Sequence, residues 1–165
     1  SIYLNPVEEE ETNLRLMRHW QQIENAEVRY KSYFMDDARF AVIGFGSSGR
    51  IALSAVRAAR AEGIPVGLLR PITLSPFPTQ VIAEISQQVD SLLVVEMNAG
   101  QMLEDVRLAA AGHAPVEFFG RLGGVVPFPD EVLTEIRNMA AGHYSLVGHP
   151  RDRWLERMSH LTSKN

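Results

Sequence analysis

The residues best suited to chemistry lie around a glycine-rich turn. An apolar run at positions 40–44 leads into Gly44, Gly46 and Gly49, spaced as G-x-G-x-x-G, and then into an alanine-rich helical pattern. Glycines permit a tight turn, and free N–H groups at a helix start attract phosphate. This spacing is typical of a dinucleotide site. An NAD site also needs an acidic residue about 20 positions further on, yet the next apolar run ends in Arg70.

Two interpretations of the glycine turn remain open. Arg70 could meet the 2′-phosphate of NADP. Alternatively, the turn is only the tight first crossover of an α/β sheet and binds no dinucleotide. We favour the structural interpretation, because so short a motif also matches unrelated sequences.

Further polar residues follow the predicted strands at their carboxyl ends, where ligands bind in open α/β sheets. The candidate binding or interface residues are Gly44, Gly46, Ser47, Arg70, Glu96, Asn98, Gln101 and Arg121. We expect Glu96 to form a salt bridge with Arg70 or Arg121. Such a cluster ties loops together or docks a neighbouring chain, or else it forms a pocket for an anionic group.

No sequence pattern supports catalysis by these residues alone. The turn lacks the central serine of a hydrolase elbow, and no Walker lysine follows the glycines. The chain contains no Cys, which excludes disulfides, thiolate metal sites and iron–sulfur ligands within it. No metal-ligand spacing joins the histidines, which we expect at the surface: His19, His113, His143, His149 and His160.

Short apolar runs alternate with helical patterns, which predicts an open doubly wound parallel sheet with helices on both faces. The predicted strands are Phe40 to Gly44, Pro65 to Leu69, Leu92 to Glu96 and Val116 to Phe119. The predicted helices are Ser47 to Glu62, Pro78 to Gln88, Gly100 to Ala110 and Pro129 to Met139. A long helix should precede them, from position 6 to about 31, with an apolar stripe through Leu16, Trp20, Ile23 and Tyr30.

The predicted organisation has three parts. Residues 1–37 form a linker helix, residues 38–141 the α/β domain, and residues 142–165 a tail with a helix near 151–161. The net charge of -4 gives no general attraction to nucleic acid or to anionic membranes. We expect a cytoplasmic protein. The chain begins at Ser1 rather than Met, which indicates processing or, as we favour, a segment of a longer protein.

Three segments together resemble a known family. They are residues 66–78 (VGLLRPITLSPFP), residues 94–107 (VVEMNAGQMLEDVR) and residues 119–124 (FGRLGG) followed by Pro127 and Pro129. These segments are similar to the C-terminal part of the α subunit of 2-oxoacid:ferredoxin oxidoreductases, including those acting on 2-oxoglutarate and branched 2-oxoacids. Ser75 stands where the family often has an aromatic residue, and Leu122 where proline is common.

The resemblance implies a fold like the transketolase C-terminal domain. It also implies a whole enzyme with a β subunit that uses thiamine diphosphate, Mg²⁺ and an iron–sulfur cluster. That enzyme would convert a 2-oxoacid and coenzyme A to an acyl-CoA and CO₂ while reducing ferredoxin. This segment lacks both Cys and a G-D-G motif, so the resemblance implies a structural and subunit-docking role without catalysis of its own.

One alternative hypothesis, from another class of function, remains open. It is a free-standing α/β protein that holds NADP or another phosphoryl ligand with Gly44 to Gly49 and Arg70. If the chain is instead a fragment, the stripe of the long helix or the face carrying Phe77 should stay partly exposed, and the fragment should form a homodimer.

Overall fold

A computed structural model describes residues 5–144 and 147–162, with side-chain surroundings through residue 159. The strands are β1 (Tyr30–Tyr33), β2 (Phe40–Gly44), β3 (Val66–Pro71), β4 (Ser91–Glu96) and β5 (Val116–Gly120). The helices are α1 (Pro6–Glu27), α2 (Gly46–Ala61), α3 (Thr79–Ser86), α4 (Gln101–Ala110), α5 (Pro129–Ala140) and α6 (Pro150–Thr162).

The strands form one sheet in the order β1-β3-β2-β4-β5. Strands β2 to β5 run parallel, and β1 is antiparallel to β3. Helices α2 and α5 pack together, and α3 packs with α4. The chain moves outward from β2 to β3, then crosses back to β4 on the other side of β2. The predicted doubly wound α/β architecture is therefore confirmed.

The core lies on both faces of the central strands. Every residue of β2 and β5 is buried, as are five of the six residues of β4. Parallel strands covered on both faces are apolar almost throughout, which explains why their runs were visible in the sequence. The buried cluster joins side chains of the sheet and of α2 to α6. This chain thus has a hydrophobic core of its own, as domains do.

The predicted elements after position 38 agree with the structure to within two residues at each end. The N-terminal prediction was wrong in one respect. Helix α1 ends at Glu27 instead of near position 31, and Tyr30 begins strand β1. This edge strand has only four residues, three of them exposed, so it carries little of the alternation that identifies a half-buried strand.

The free edge of β5 is covered by α6. Backbone carbonyls along an open edge need hydrogen-bond donors or water. Side chains of α6 supply donors at alternate residues: Arg153 to Val116 at 3.3 Å, Arg157 to Phe118 at 2.8 Å and Trp154 to Gly120 at 3.1 Å. Helix α6 therefore covers one edge of the sheet, and the short strand β1 forms the other.

Two buried contacts fix α6 in place. Trp154, only 2% exposed, meets the Phe118 ring edge to face with centroids 5.1 Å apart. Arg153 donates to the buried carboxylate of Glu117 at 2.7 Å. Burial raises the pKa of Glu117, and the hydrogen bond from Arg153 opposes that rise. The helix predicted for the tail is thus an integral part of the core.

We expect Trp154→Ala to lower the free energy of unfolding by about 3 to 5 kcal/mol, the usual cost of truncating a buried aromatic residue. The matched control is Leu155→Ala, because Leu155 is 50% exposed on the same helix. The control should change stability by less than about 0.5 kcal/mol. Urea unfolding followed by circular dichroism measures both, and equal losses would contradict the role of Trp154.

Candidate functional site

A crevice opens at the carboxyl ends of β2 and β4, where the strand order reverses. Such switch points are the usual ligand sites of open α/β sheets. The cavity has a volume of about 460 Å³. Its lining residues come from the end of β4, from the loops after β2, β3 and β4, and from α2 and α4: Phe45, Gly46, Ser47, Ser48, Leu74, Val95, Glu96, Met97, Asn98, Gln101, Met102 and Asp105.

The glycine motif shapes one wall of this crevice. Gly46 has a φ of +57°, a conformation that other residues rarely adopt. Gly44 and Gly49 bring β2 and α2 together so closely that a Cβ on Gly49 would lie 2.4 Å from the Gly44 carbonyl oxygen. Two of the three glycines therefore serve helix–strand packing, as the tight-crossover interpretation requires.

Glu96 does not form the salt bridge predicted for it. Its two carboxylate oxygens accept hydrogen bonds from the backbone N–H groups of Met102 and Leu103, each at 2.9 Å. These amides belong to the first turn of α4, where the helix dipole favours negative charge. The prediction failed because the helix start lies nearer to the carboxylate than either arginine.

Asn98 also serves the start of α4. Its side-chain oxygen accepts from the N–H groups of Gly100 at 2.7 Å and Gln101 at 3.0 Å. Together with Glu96, it satisfies the backbone donors of the first turn. Gln101 itself is exposed at the rim. These polar residues line the crevice, but their hydrogen-bonding capacity is largely used within the fold.

The two predicted arginines do not line the crevice. Arg121 pairs with Glu131 and lies over the Phe119 ring, 5.9 Å from its centroid. Arg70 forms no ion pair within the described part of the chain, and its buried Nε has no hydrogen-bond partner. The Cγ of Arg70 lies beside Gly49, 3.0 Å from the position of an added Cβ.

Sequence reasoning missed the apolar side of this site. Leu74, Met97 and Met102 line the crevice together with Asp105. Leu74 lies in a loop and Met97 just after a strand, so no periodic pattern marks them. Met102 and Asp105 lie three residues apart on α4 and thus share one helix face. In the sequence, the spacing on α4 was the only signal for Met102 and Asp105. The predicted loop positions were the only signal for Leu74 and Met97.

Within residues 5–144 and 147–162, no group of three or more His, Asp or Glu side chains could hold a metal ion. The exposed histidines agree with the surface prediction: His19, His113 and His143. His149 is half-buried and lies 3.2 Å from a Glu104 carboxylate oxygen; the side chain of His160 falls outside the described residues. No helix in the described ranges is long and apolar enough to cross a membrane.

Together, the fold and the crevice define a doubly wound α/β domain with a pocket at the point where the strand order reverses. Residues 38–138 match the family described as pyruvate:ferredoxin oxidoreductase core domain II. This chain therefore belongs to that family, as the resemblance of the three sequence segments implied.

Among its relatives is the ketoisovalerate oxidoreductase subunit VorB of Methanothermobacter thermautotrophicus. That protein is 47% identical over 140 residues, which cover 85% of this chain and 40% of the relative. The chain thus spans less than half the length of this relative.

Two solved structures share the fold. The first is 2-oxoglutarate:ferredoxin oxidoreductase from Magnetococcus marinus, with a TM-score of 0.71 at 16% identity over 85% of this chain and 24% of that one. The second is a split-gene transketolase, with a TM-score of 0.56 at 13% identity over 68% of this chain and 41% of that one. At these identities the likeness concerns the fold alone, and it confirms the predicted transketolase-like architecture.

We expect Gly49→Ala to destabilise the chain by about 2 kcal/mol, because overpacking forces α2 away from β2. Ser54→Ala is the control, since Ser54 is exposed on the same helix. Thermal unfolding monitored at 222 nm compares the two variants. A Gly49→Ala protein as stable as the control would show that α2 does not depend on this close approach.

Glu96→Ala removes the acceptor for two amides at a buried helix start, so we expect a loss of about 2 kcal/mol. Glu96→Gln keeps one acceptor oxygen and should lose less. Asp105→Asn is the control, because Asp105 is exposed on the same helix. Amide hydrogen exchange should quicken at Met102 and Leu103 in Glu96→Ala, and unchanged exchange there would contradict the capping role.

Proposed function

We propose that this chain is the core domain II segment of the α subunit of a 2-oxoacid:ferredoxin oxidoreductase in the cytoplasm. The observation that carries the proposal is the family match over residues 38–138, supported by the 47% identity to an oxidoreductase subunit. The whole enzyme would oxidise a 2-oxoacid with coenzyme A to an acyl-CoA and CO₂. The two electrons released would pass to ferredoxin.

The proposed enzyme takes its redox chemistry from groups bound outside this segment. Thiamine diphosphate with Mg²⁺ would stabilise the carbanion left by decarboxylation, and an iron–sulfur cluster would carry the electrons. The residues here do not fit either group. The chain has no Cys for a cluster, and its described side chains form no metal-ligand group. We therefore assign no catalytic step to this segment.

A structural role agrees with the way the polar groups of the crevice are used. Glu96 and Asn98 are engaged by the first turn of α4, and Arg121 by Glu131. None of these side chains is free to act as a general acid or base on a substrate. The rival hypothesis of an NADP site is not favoured, because Arg70 does not line the crevice.

Helix α1 is the best candidate for subunit docking, because it buries no residue in this chain. Its large apolar side chains are exposed, including Leu16 at 55%, Met17 at 59% and Trp20 at 39%. Exposed apolar surface of this extent on one element is typical of an interface. We propose that this face contacts another part of the same subunit or the β subunit.

The proposed activity is tested on the native protein, isolated from its source with an antibody to this chain. We expect a second subunit, bound thiamine diphosphate and iron to co-purify. The preparation should reduce ferredoxin only when coenzyme A and a 2-oxoacid are both present, with 2-oxoglutarate and ketoisovalerate compared as substrates. A protein lacking iron and 2-oxoacid-dependent reduction would overturn the proposal.

In the complete enzyme we expect Trp20→Glu to weaken subunit or domain association at least tenfold, because it places a charge in an apolar contact. Gln21→Glu adds the same charge to an exposed neighbouring position of α1 and should have little effect. Analytical ultracentrifugation measures the association. Circular dichroism of each variant should match the parent, since α1 contributes no buried residue to the core.

A further inference from the structure

The two helix starts that face each other across the crevice differ in one respect. The first amides of α4 are satisfied by Glu96 and Asn98. Helix α2 begins after Phe45, whose side chain cannot accept a hydrogen bond, and no side chain caps its first turn. These N–H groups and the positive end of the α2 dipole therefore face the crevice without an internal acceptor.

Ser48 provides an independent observation on the same wall. It lines the cavity, and only 4% of the residue is exposed. No residue in the described part of the chain forms a hydrogen bond with its hydroxyl group. Its hydroxyl group opens onto the crevice, where an acceptor on a ligand can reach it.

Charge on this side of the crevice also favours an anion. Arg70 lies against the first turn of α2, beside Gly49, and has no ion-pair partner in the described ranges. Glu96 and Asp105 lie on the opposite, α4 wall. Their negative charges favour a ligand with a single anionic group, held at the α2 wall and away from α4.

We propose that the crevice binds a small organic molecule that carries one oxyanion group, either phosphoryl or carboxylate. The oxyanion accepts hydrogen bonds from the first amides of α2 and from the Ser48 hydroxyl. The body of the molecule packs on Leu74, Met97 and Met102, three of the apolar side chains of the lining. This site goes beyond the proposed oxidoreductase function and does not rest on it.

The test is a titration of the ¹⁵N-labelled 165-residue chain, which has its own core, followed by NMR. Phenyl phosphate and benzoate are the two oxyanion probes, and benzyl alcohol is the neutral control. We expect saturable shifts of the amides of Gly46, Ser47 and Ser48 with at least one oxyanion, and binding of the alcohol at least tenfold weaker. No saturable shift there, or equal binding of the alcohol, would overturn the proposal.

Single substitutions test which side chains contact the bound oxyanion. Ser48→Ala should weaken binding of the oxyanion by about tenfold, the worth of one hydrogen bond to a charged group, whereas Ser54→Ala on the same helix should have no effect. Asp105→Asn removes a like charge at an exposed position and should tighten binding. If Ser48→Ala does not fold, Asp105→Asn still tests the proposal. Unchanged affinity of Asp105→Asn for the oxyanion would mean that the anion binds elsewhere.

Arg70→Gln should weaken binding by about threefold and reduce its sensitivity to salt, because Arg70 supplies charge without contact. Arg57→Gln removes the same charge from an exposed position further along α2 and is the matched control. Equal losses in the two variants would refute a specific role for Arg70. This binding assay is independent of enzyme activity, so its failure leaves the proposed oxidoreductase function in place.

Discussion

A parallel sheet buried on both faces still has two open edges, and the rest of this structure depends on how they are closed. The central strands are almost wholly apolar, so the helices that cover them follow directly from the hydrophobic effect. The edges require hydrogen-bonding partners instead. Strand β1 supplies backbone partners to β3 on one side, and three side chains of α6 supply donors to β5 on the other.

Several charged side chains in this fold form hydrogen bonds with backbone groups. Glu96 accepts from two amides at the start of α4, and Arg60 donates to the carbonyl oxygens of Phe34 and Val66. Arg151 similarly reaches the carbonyl oxygens of Ala99 and Gly100. In each case a charged side chain satisfies backbone groups that have no partner in a helix or strand. The α2 side of the crevice differs because no side chain performs that task there.

Most of the sheet could be predicted from the sequence, because strands such as β2 and β4 are continuous apolar runs and their helices have a 3.6-residue period. Strand β1 could not, since Tyr30 to Tyr33 pair through their backbone and bury little. At the site, topology placed Ser47, Glu96 and Asn98 correctly at one edge of the sheet. The partner of Glu96 was missed because an arginine and a helix start can both donate hydrogen bonds to a carboxylate. Only their distances from the carboxylate in the folded chain determine which of them binds it.

The dependence of β5 on α6 also bears on the order of events during synthesis. About thirty residues separate the end of β5 from the start of α6, so the ribosome exposes the strand before it has delivered the helix that covers it. Until then, Phe118 and the unpaired carbonyl groups of β5 can contact another extended chain. Chaperones bind nascent chains with exposed surfaces of this kind. The nascent domain is thus most vulnerable to aggregation in the interval between these two elements.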